Sequence, residues 1–200
     1  MARKVFTYIF ILVLATFLIP AESKAETVSK VTVKDLIVKH SMEMGMDPAM
    51  ALSIAKAESN FCHERRSKYG AVGVFQLMPA TAKRMGYNPY HVNDNIKGGI
   101  QYYKNMYKMF GSPELALAAY NAGPGNVKKY NGVPPFTETR KFVSSIMNSY
   151  NNFKANPDPA IARYNNGDIK EISTAEYDEE IDFRMQHEAI LKSYLSNQGI

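Results

Sequence analysis

Five large side chains, Ile96, Ile100, Tyr103, Tyr107 and Phe110, follow one another at spacings of four, three, four and three residues. That rhythm matches the α-helical turn and puts all five on one face of a helix over residues 94–110. Such a helix must bury its stripe against other elements, so the stripe reads as core packing. The flanking text repeats the pattern. Residues 33–44 carry apolar positions at helical spacing. Asp47-Pro48 supplies an N-cap and an N1 proline for a helix over 48–59. Met78-Pro79-Ala80-Thr81 opens a short helix that ends near Gly86. Ser112-Pro113 opens another that reaches about Ala122, where Gly123-Pro124-Gly125 breaks it. Residues 137–153 read as a last core helix, with Phe142, Ile146 and Tyr150 four apart. Strand signals are nearly missing, and only residues 70–77 suit a short hairpin or irregular loop. The expected fold class is mainly α with at most a small β hairpin.

The two ends read differently from the middle. Arg3 and Lys4 precede an almost unbroken apolar run over residues 5–19, which Pro20 ends, and Ser23 and Ala25 place small residues before a cut after Ala25. This is the layout of a cleaved secretory signal peptide over residues 1–25, and the run is short of the ~20 residues that a membrane span needs. No cysteine sits at that junction, so no lipid anchor is expected. Residues 26–153 form the expected domain. Residues 154–200 open with breakers, Asn156-Pro157-Asp158-Pro159, and read as an acidic C-terminal extension, partly helical or disordered. The charge splits accordingly: 17 basic against 9 acidic residues over 26–155, and 4 against 9 over 156–200. A basic exported domain suits an anionic polymer, and export argues against nucleic acid.

Cys62 is the single cysteine, so no internal disulfide can form, and it reads as a packed side chain rather than a nucleophile. The four histidines are scattered without metal-ligand spacing, so neither metal nor cofactor is expected. Glu58 is the candidate acid. It sits in the last turn of a mostly apolar helix, where the helix dipole and partial burial both disfavour the charged carboxylate. Both effects raise a carboxyl pKa, as a general acid near neutral pH requires. Taken alone, this feature is better explained by an ordinary surface glutamate before a loop.

Its neighbours change that balance. Glu58-Ser59 is followed by Gly70-Ala71-Val72-Gly73-Val74-Phe75-Gln76-Leu77-Met78-Pro79. Then come Ala118-Ala119-Tyr120-Asn121-Ala122-Gly123 and Phe136-Thr137-Glu138-Thr139-Arg140-Lys141-Phe142-Val143. This ordered set resembles the family 1 lytic transglycosylases, whose catalytic domain is of the soluble lytic transglycosylase (SLT) type. The resemblance implies a lysozyme-like helical domain of the goose-type/SLT kind. It implies that Glu58 is catalytic, with Ser59 its partner. It places Gly70, Gly73, Gln76 and Met78 along a saccharide cleft, Tyr120 with its hydroxyl toward the catalytic carboxyl, Asn121 beside it, and Glu138 in a structural or substrate-contacting role. The residues themselves are consistent with this. Gly70 and Gly73 allow close approach of backbone to a sugar, and Gln76 and Asn121 offer both donors and acceptors. Structural alternatives stand beside these: Tyr120 in the core, Asn121 as a helix cap, Gln76 holding a loop. Two positions depart from the family pattern. Val74-Phe75 replaces Leu-Met, and Phe142 replaces a tyrosine, which removes a hydroxyl.

The implied reaction is non-hydrolytic cleavage of the MurNAc-GlcNAc β-1,4 bond of peptidoglycan, leaving a 1,6-anhydro end. A single acid-base carboxyl suffices there because the nucleophile is intramolecular. A hydrolytic muramidase would need a second carboxylate, from Asp94, Glu64 or Glu138. A non-catalytic wall-binding module is the other reading. The implied setting is the periplasm or the cell exterior, acting on glycan strands, with an envelope-spanning secretion or conjugation apparatus as a further partner by family analogy.

Overall fold

The computed structural model describes residues 28–169 and 173–197, so the expected signal peptide lies outside the described residues. The helices of the described residues are α1 (Lys30–Glu43), α2 (Pro48–Ser59), α3 (Pro79–Arg84), α4 (Val92–Phe110), α5 (Pro113–Ala122), α6 (Pro124–Tyr130), α7 (Thr137–Ala155), α8 (Pro159–Asn165) and α9 (Ala175–Asn197). None of them is long and apolar enough to cross a membrane.

The core is built around α2. Asp47 caps it, its carboxylate accepting from Ala49 N at 2.9 Å, and Pro48 fixes the first helical dihedral. Residues 49–55 are all buried, so α2 has neighbours on every side. It packs against α1 and α7, while α5 fills the space between α4, α6 and α7. The helix ends at Asn60 and Phe61, two non-glycine residues in succession with positive φ (54° and 65°). The burial of Phe61 offsets the backbone cost of that turn.

The helices that the sequence predicts are present, with two additions. Gly123, at φ 85°, ends α5, but Pro124 at once opens α6. The triplet Gly123-Pro124-Gly125 is therefore a corner and not a stop, because proline is as suited to a first helical position as to a break. The second addition is α8. Asp158 caps it and Pro159 starts it, and it docks on α1 with Ala160 fully buried. The breakers after residue 155 again mark a helix start.

The α4 stripe is corrected in one respect. Ile96, Ile100 and Tyr103 are core, but Tyr107 is 46% exposed. The buried face runs instead through Val92, Asn95, Ile96, Gly99, Ile100, Tyr103 and Met106.

Residues 61–78 are irregular, a longer stretch than the 70–77 expected before α3. Val72 and Leu77 exchange two backbone hydrogen bonds at 3.0 Å, and Val72 also bridges to Arg66. Between them the chain turns tightly, with Gly73 at φ 79° and Gln76 at φ 44°. Val72, Val74, Phe75 and Leu77 are all buried, so this small knot is part of the core rather than a surface loop.

Candidate active site

Glu58 is half-buried on the last turn of α2. Burial, the largest influence, pushes its carboxyl up to about 8 from an ordinary 4.5. The Arg65 guanidinium pulls the other way, and the negative charge of Glu138 pushes it further up. The carboxyl is therefore protonated at neutral pH, with one cation and one anion in electrostatic reach. Cys62 is unsuited to nucleophilic work: burial and the neighbouring Glu64 raise its thiol above the usual range.

Ser59 faces inward. It is 2% exposed; its Oγ donates to Val74 O at 2.8 Å and accepts from Cys62 N at 3.1 Å. That ties the end of α2 to the knot and leaves no face for a sugar. Gln76 is held by its own side chain, since Nε2 donates to Gly73 O at 2.9 Å and Arg65 O at 3.1 Å. Its amide oxygen has no protein partner among the described residues. Met78 is exposed at the start of α3.

Tyr120 reconciles its two readings. It is buried and packs against Tyr102, with ring centroids 5.0 Å apart. Its hydroxyl donates to Phe75 O at 2.7 Å, not to Glu58. Burial raises the phenol well above its ordinary value, and the negative charge of Glu58 adds to this, so the two groups are neighbours. With its proton on Phe75 O, the phenol oxygen is left to accept from a neutral carboxyl. Asn121 is exposed, and its Oδ1 accepts from the buried Thr139 Oγ1 at 2.7 Å. That bond joins α5 to α7 one residue from Glu138, which is exposed on the first turn of α7.

Two contributors were not singled out from sequence. Asn95, fully buried on α4, accepts from Phe75 N at 2.9 Å and donates to Val72 O at 2.8 Å and Pro89 O at 2.9 Å. It thereby fixes the knot that carries Gln76. A polar residue inside the apolar face of a helix is the signal that marks it. The second is Arg65, whose carbonyl accepts from both Gly73 N and the Gln76 amide and whose charge acts on Glu58. Gly73 also has a structural reason of its own. A Cβ there would lie 2.4 Å from Asn95 Nδ2, so the protein's own side chain already requires a glycine at this position. Gly70 serves a turn at φ 86° with open space around it.

The described residues form a mainly α domain of helices around one irregular loop, with the protonated Glu58 ending a buried helix, and its structural neighbours are lysozyme-like. The Transglycosylase SLT domain family matches residues 35–143, more than half of the chain, and the chain belongs to that family. It is 31% identical to the soluble lytic murein transglycosylase of Escherichia coli K12, over 56% of this chain and 21% of that protein. It is 30% identical to the transglycosylase of Enterobacteria phage PRD1, over 60% of this chain and 44% of that protein. Among solved structures, the complex of the 70-kDa soluble lytic transglycosylase with bulgecin A superposes with a TM-score of 0.56 at 28% identity. It covers 64% of this chain and 25% of that one. An inactive glutamate-to-glutamine variant of Slt from Pseudomonas aeruginosa gives 0.54 at 29% identity, covering 62% of this chain and 24% of that one. The chain spans about a fifth of the length of the soluble lytic murein transglycosylases that it matches.

Proposed function

We propose that the protein is a peptidoglycan lytic transglycosylase with Glu58 as its catalytic acid and base. The observation that carries this reading is the neutral carboxyl of Glu58, poised to give up a proton near pH 7. It protonates the oxygen that links MurNAc to GlcNAc. The resulting carboxylate, steadied by Arg65, then takes the proton of the muramic C6 hydroxyl as that oxygen closes on C1. The bond to the leaving GlcNAc breaks, a 1,6-anhydro ring forms, and Glu58 regains its proton. An attacking group on the same sugar has a high effective concentration, so no water-activating carboxylate is needed. Ser59 acts by positioning, and Gln76, Met78, Asn121 and Glu138 line the path of the glycan.

One observation keeps a hydrolytic reading in view. Of the three carboxylates that could serve as its second acid group, Asp94 accepts from Asn88 N at 2.9 Å. Glu64 accepts from Cys62 Sγ and Tyr177 Oη at 3.2 Å each. Glu138 remains, within electrostatic reach of Glu58. Mass spectrometry of digested sacculi separates the two. Anhydro-muropeptides, one water lighter than hydrolysis products, are expected from the wild type and none from Glu58→Gln. Reducing-end muramic acid as the sole product would replace this mechanism with the hydrolytic one.

The setting follows the same reading. The N-terminal layout supports export, and N-terminal sequencing of the protein recovered from the envelope should begin at Glu26. Local opening of the wall for a secretion or conjugation machine is the role that a compact domain of this kind suits, and co-purification from envelope fractions tests it.

A further inference from the structure

At the other end of α2 from Glu58 lies a cavity of about 560 Å³, bounded by the turn into α2, one face of α4 and Tyr150 of α7. Asp47 caps the start of α2 and Glu58 stands eleven residues further on, about 16 Å along a helix. None of Glu58, Gln76, Tyr120 and Glu138 lines the cavity, so it is separate from the site proposed above.

Tyr103 lines it and is only 6% exposed, yet its hydroxyl has no hydrogen-bond partner among the described residues. The hydroxyl is not sealed inside the protein; it opens onto the cavity, where a ligand group can meet it. Burial keeps the phenol protonated, so it remains a donor. Tyr107, the stripe residue that the core leaves out, stacks on Tyr103 with ring centroids 6.3 Å apart at 27°. On the facing wall Asp47 Oδ2 accepts from Tyr150 Oη at 3.0 Å and Lys154 Nζ at 3.1 Å. Burial alone would raise the Asp47 pKa, but these bonds and the one from Ala49 N hold it below the ordinary range, so it stays an ionised acceptor. Lys104, which also donates to Met44 O, and Lys108 add ammonium donors along α4.

This mixture selects its ligand. A purely apolar molecule would strip these polar groups of water without replacing it. A cation would face the ammonium groups of Lys104 and Lys108, while Asp47 already has Lys154 as its partner. A ring with an apolar face and edges that both donate and accept satisfies all of them. We propose that the cavity is a second saccharide-binding site, which holds an acetamido sugar of a glycan strand away from the point of cutting. The choice of wall glycan as the source rests on the function proposed above; the recognition chemistry does not. Such a site would keep the enzyme on an insoluble substrate between cuts.

The test is a titration of ¹⁵N-labelled Glu58→Gln protein with chitotetraose, followed by amide chemical shifts. Two groups of shifting amides are expected, one within residues 58–78 and one within residues 45–50 and 101–108. Tyr103→Phe, which removes one hydrogen bond, should weaken the second group about three- to tenfold and leave the first unmoved. Tyr107→Ala, at an exposed position, should weaken it too and serves if Tyr103→Phe fails to fold. Shifts within 58–78 alone overturn the second site and leave the proposed function standing. Shifts at the cavity alone keep the second site and count against the cleft. No shift at the cavity, or cavity shifts that neither variant weakens, overturns the proposal.

Discussion

In the proposed mechanism Glu58 gathers most of the chemistry into one carboxyl, and its raised pKa has two measurable consequences. As an acid that must be protonated, it should make kcat/KM fall as pH rises through about 8. A flat profile between pH 6 and 9 would remove it from that role. The second consequence is for stability. The folded chain holds a proton on Glu58 that the unfolded chain loses near 4.5. Between these values the folded state binds more protons, so stability falls as pH climbs through the window, and the full cost is present above about 8. Glu58→Gln should lack this slope and be the more stable protein near pH 8, by on the order of 1–3 kcal/mol in urea titrations. Tyr120→Phe should do the reverse. It leaves the Phe75 carbonyl without its donor in a buried place, at a cost of about 1–3 kcal/mol, and it removes the phenol beside Glu58, so activity should fall with stability.

At the scale of elements, the site depends on a knotted loop held by a helix. Residues 72–77 have almost no repetitive structure of their own, and Asn95 supplies two of their fixings, to Phe75 N and Val72 O, and a third to the neighbouring turn at Pro89. Asn95→Ala should cost about 3 kcal/mol or more by orphaning buried backbone groups, seen as a drop in Tm of about 6–12 °C. Gly99 is the companion position on α4. A Cβ there would stand 2.2 Å from Phe75 Cγ. Gly99→Ala should therefore push the knot off α4 and destabilise the fold by about 1–3 kcal/mol, with lost turnover even where the protein remains folded. Helix positions were legible from sequence because periodicity and caps are local signals. Asn95 and Gly99 were not, because the residues they serve lie some twenty positions away. Tyr107 was misassigned to the core for a related reason: a period of 3.6 marks a face but not how much of that face its neighbours reach.

At the scale of the molecule, the acidic C-terminal segment is tied back to the domain. Asp158, 6% exposed, pairs with Lys34 at 2.7 Å, and Arg163 pairs with Asp35 at 2.6 Å. Further on, Asp178 accepts from Val92 N, Asp182 meets His91 at 2.9 Å, and Tyr177 packs against His63. The acidic excess of the tail thus meets the basic domain and the open amides at the start of α4. Truncation after residue 155 should lower Tm clearly more than truncation after residue 169, because only the first exposes the α1 face under Ala160 and leaves Lys34 and Asp35 without partners. Equal melting temperatures would mean that α8 adds nothing to the domain.

The amino-acid sequence by itself determined the helical class, most helix limits, the family resemblance and the choice of Glu58. Spacing, caps and short motifs are written in neighbouring residues. Only the tertiary structure decided that Ser59 faces inward, that Gly73 makes room for Asn95, that the Tyr120 hydroxyl donates to Phe75 O, and that a cavity opens at the far end of α2 from Glu58. Those outcomes depend on which surfaces meet across the core. Burial and the pairing of buried polar groups are properties of such meetings and not of any single stretch of chain.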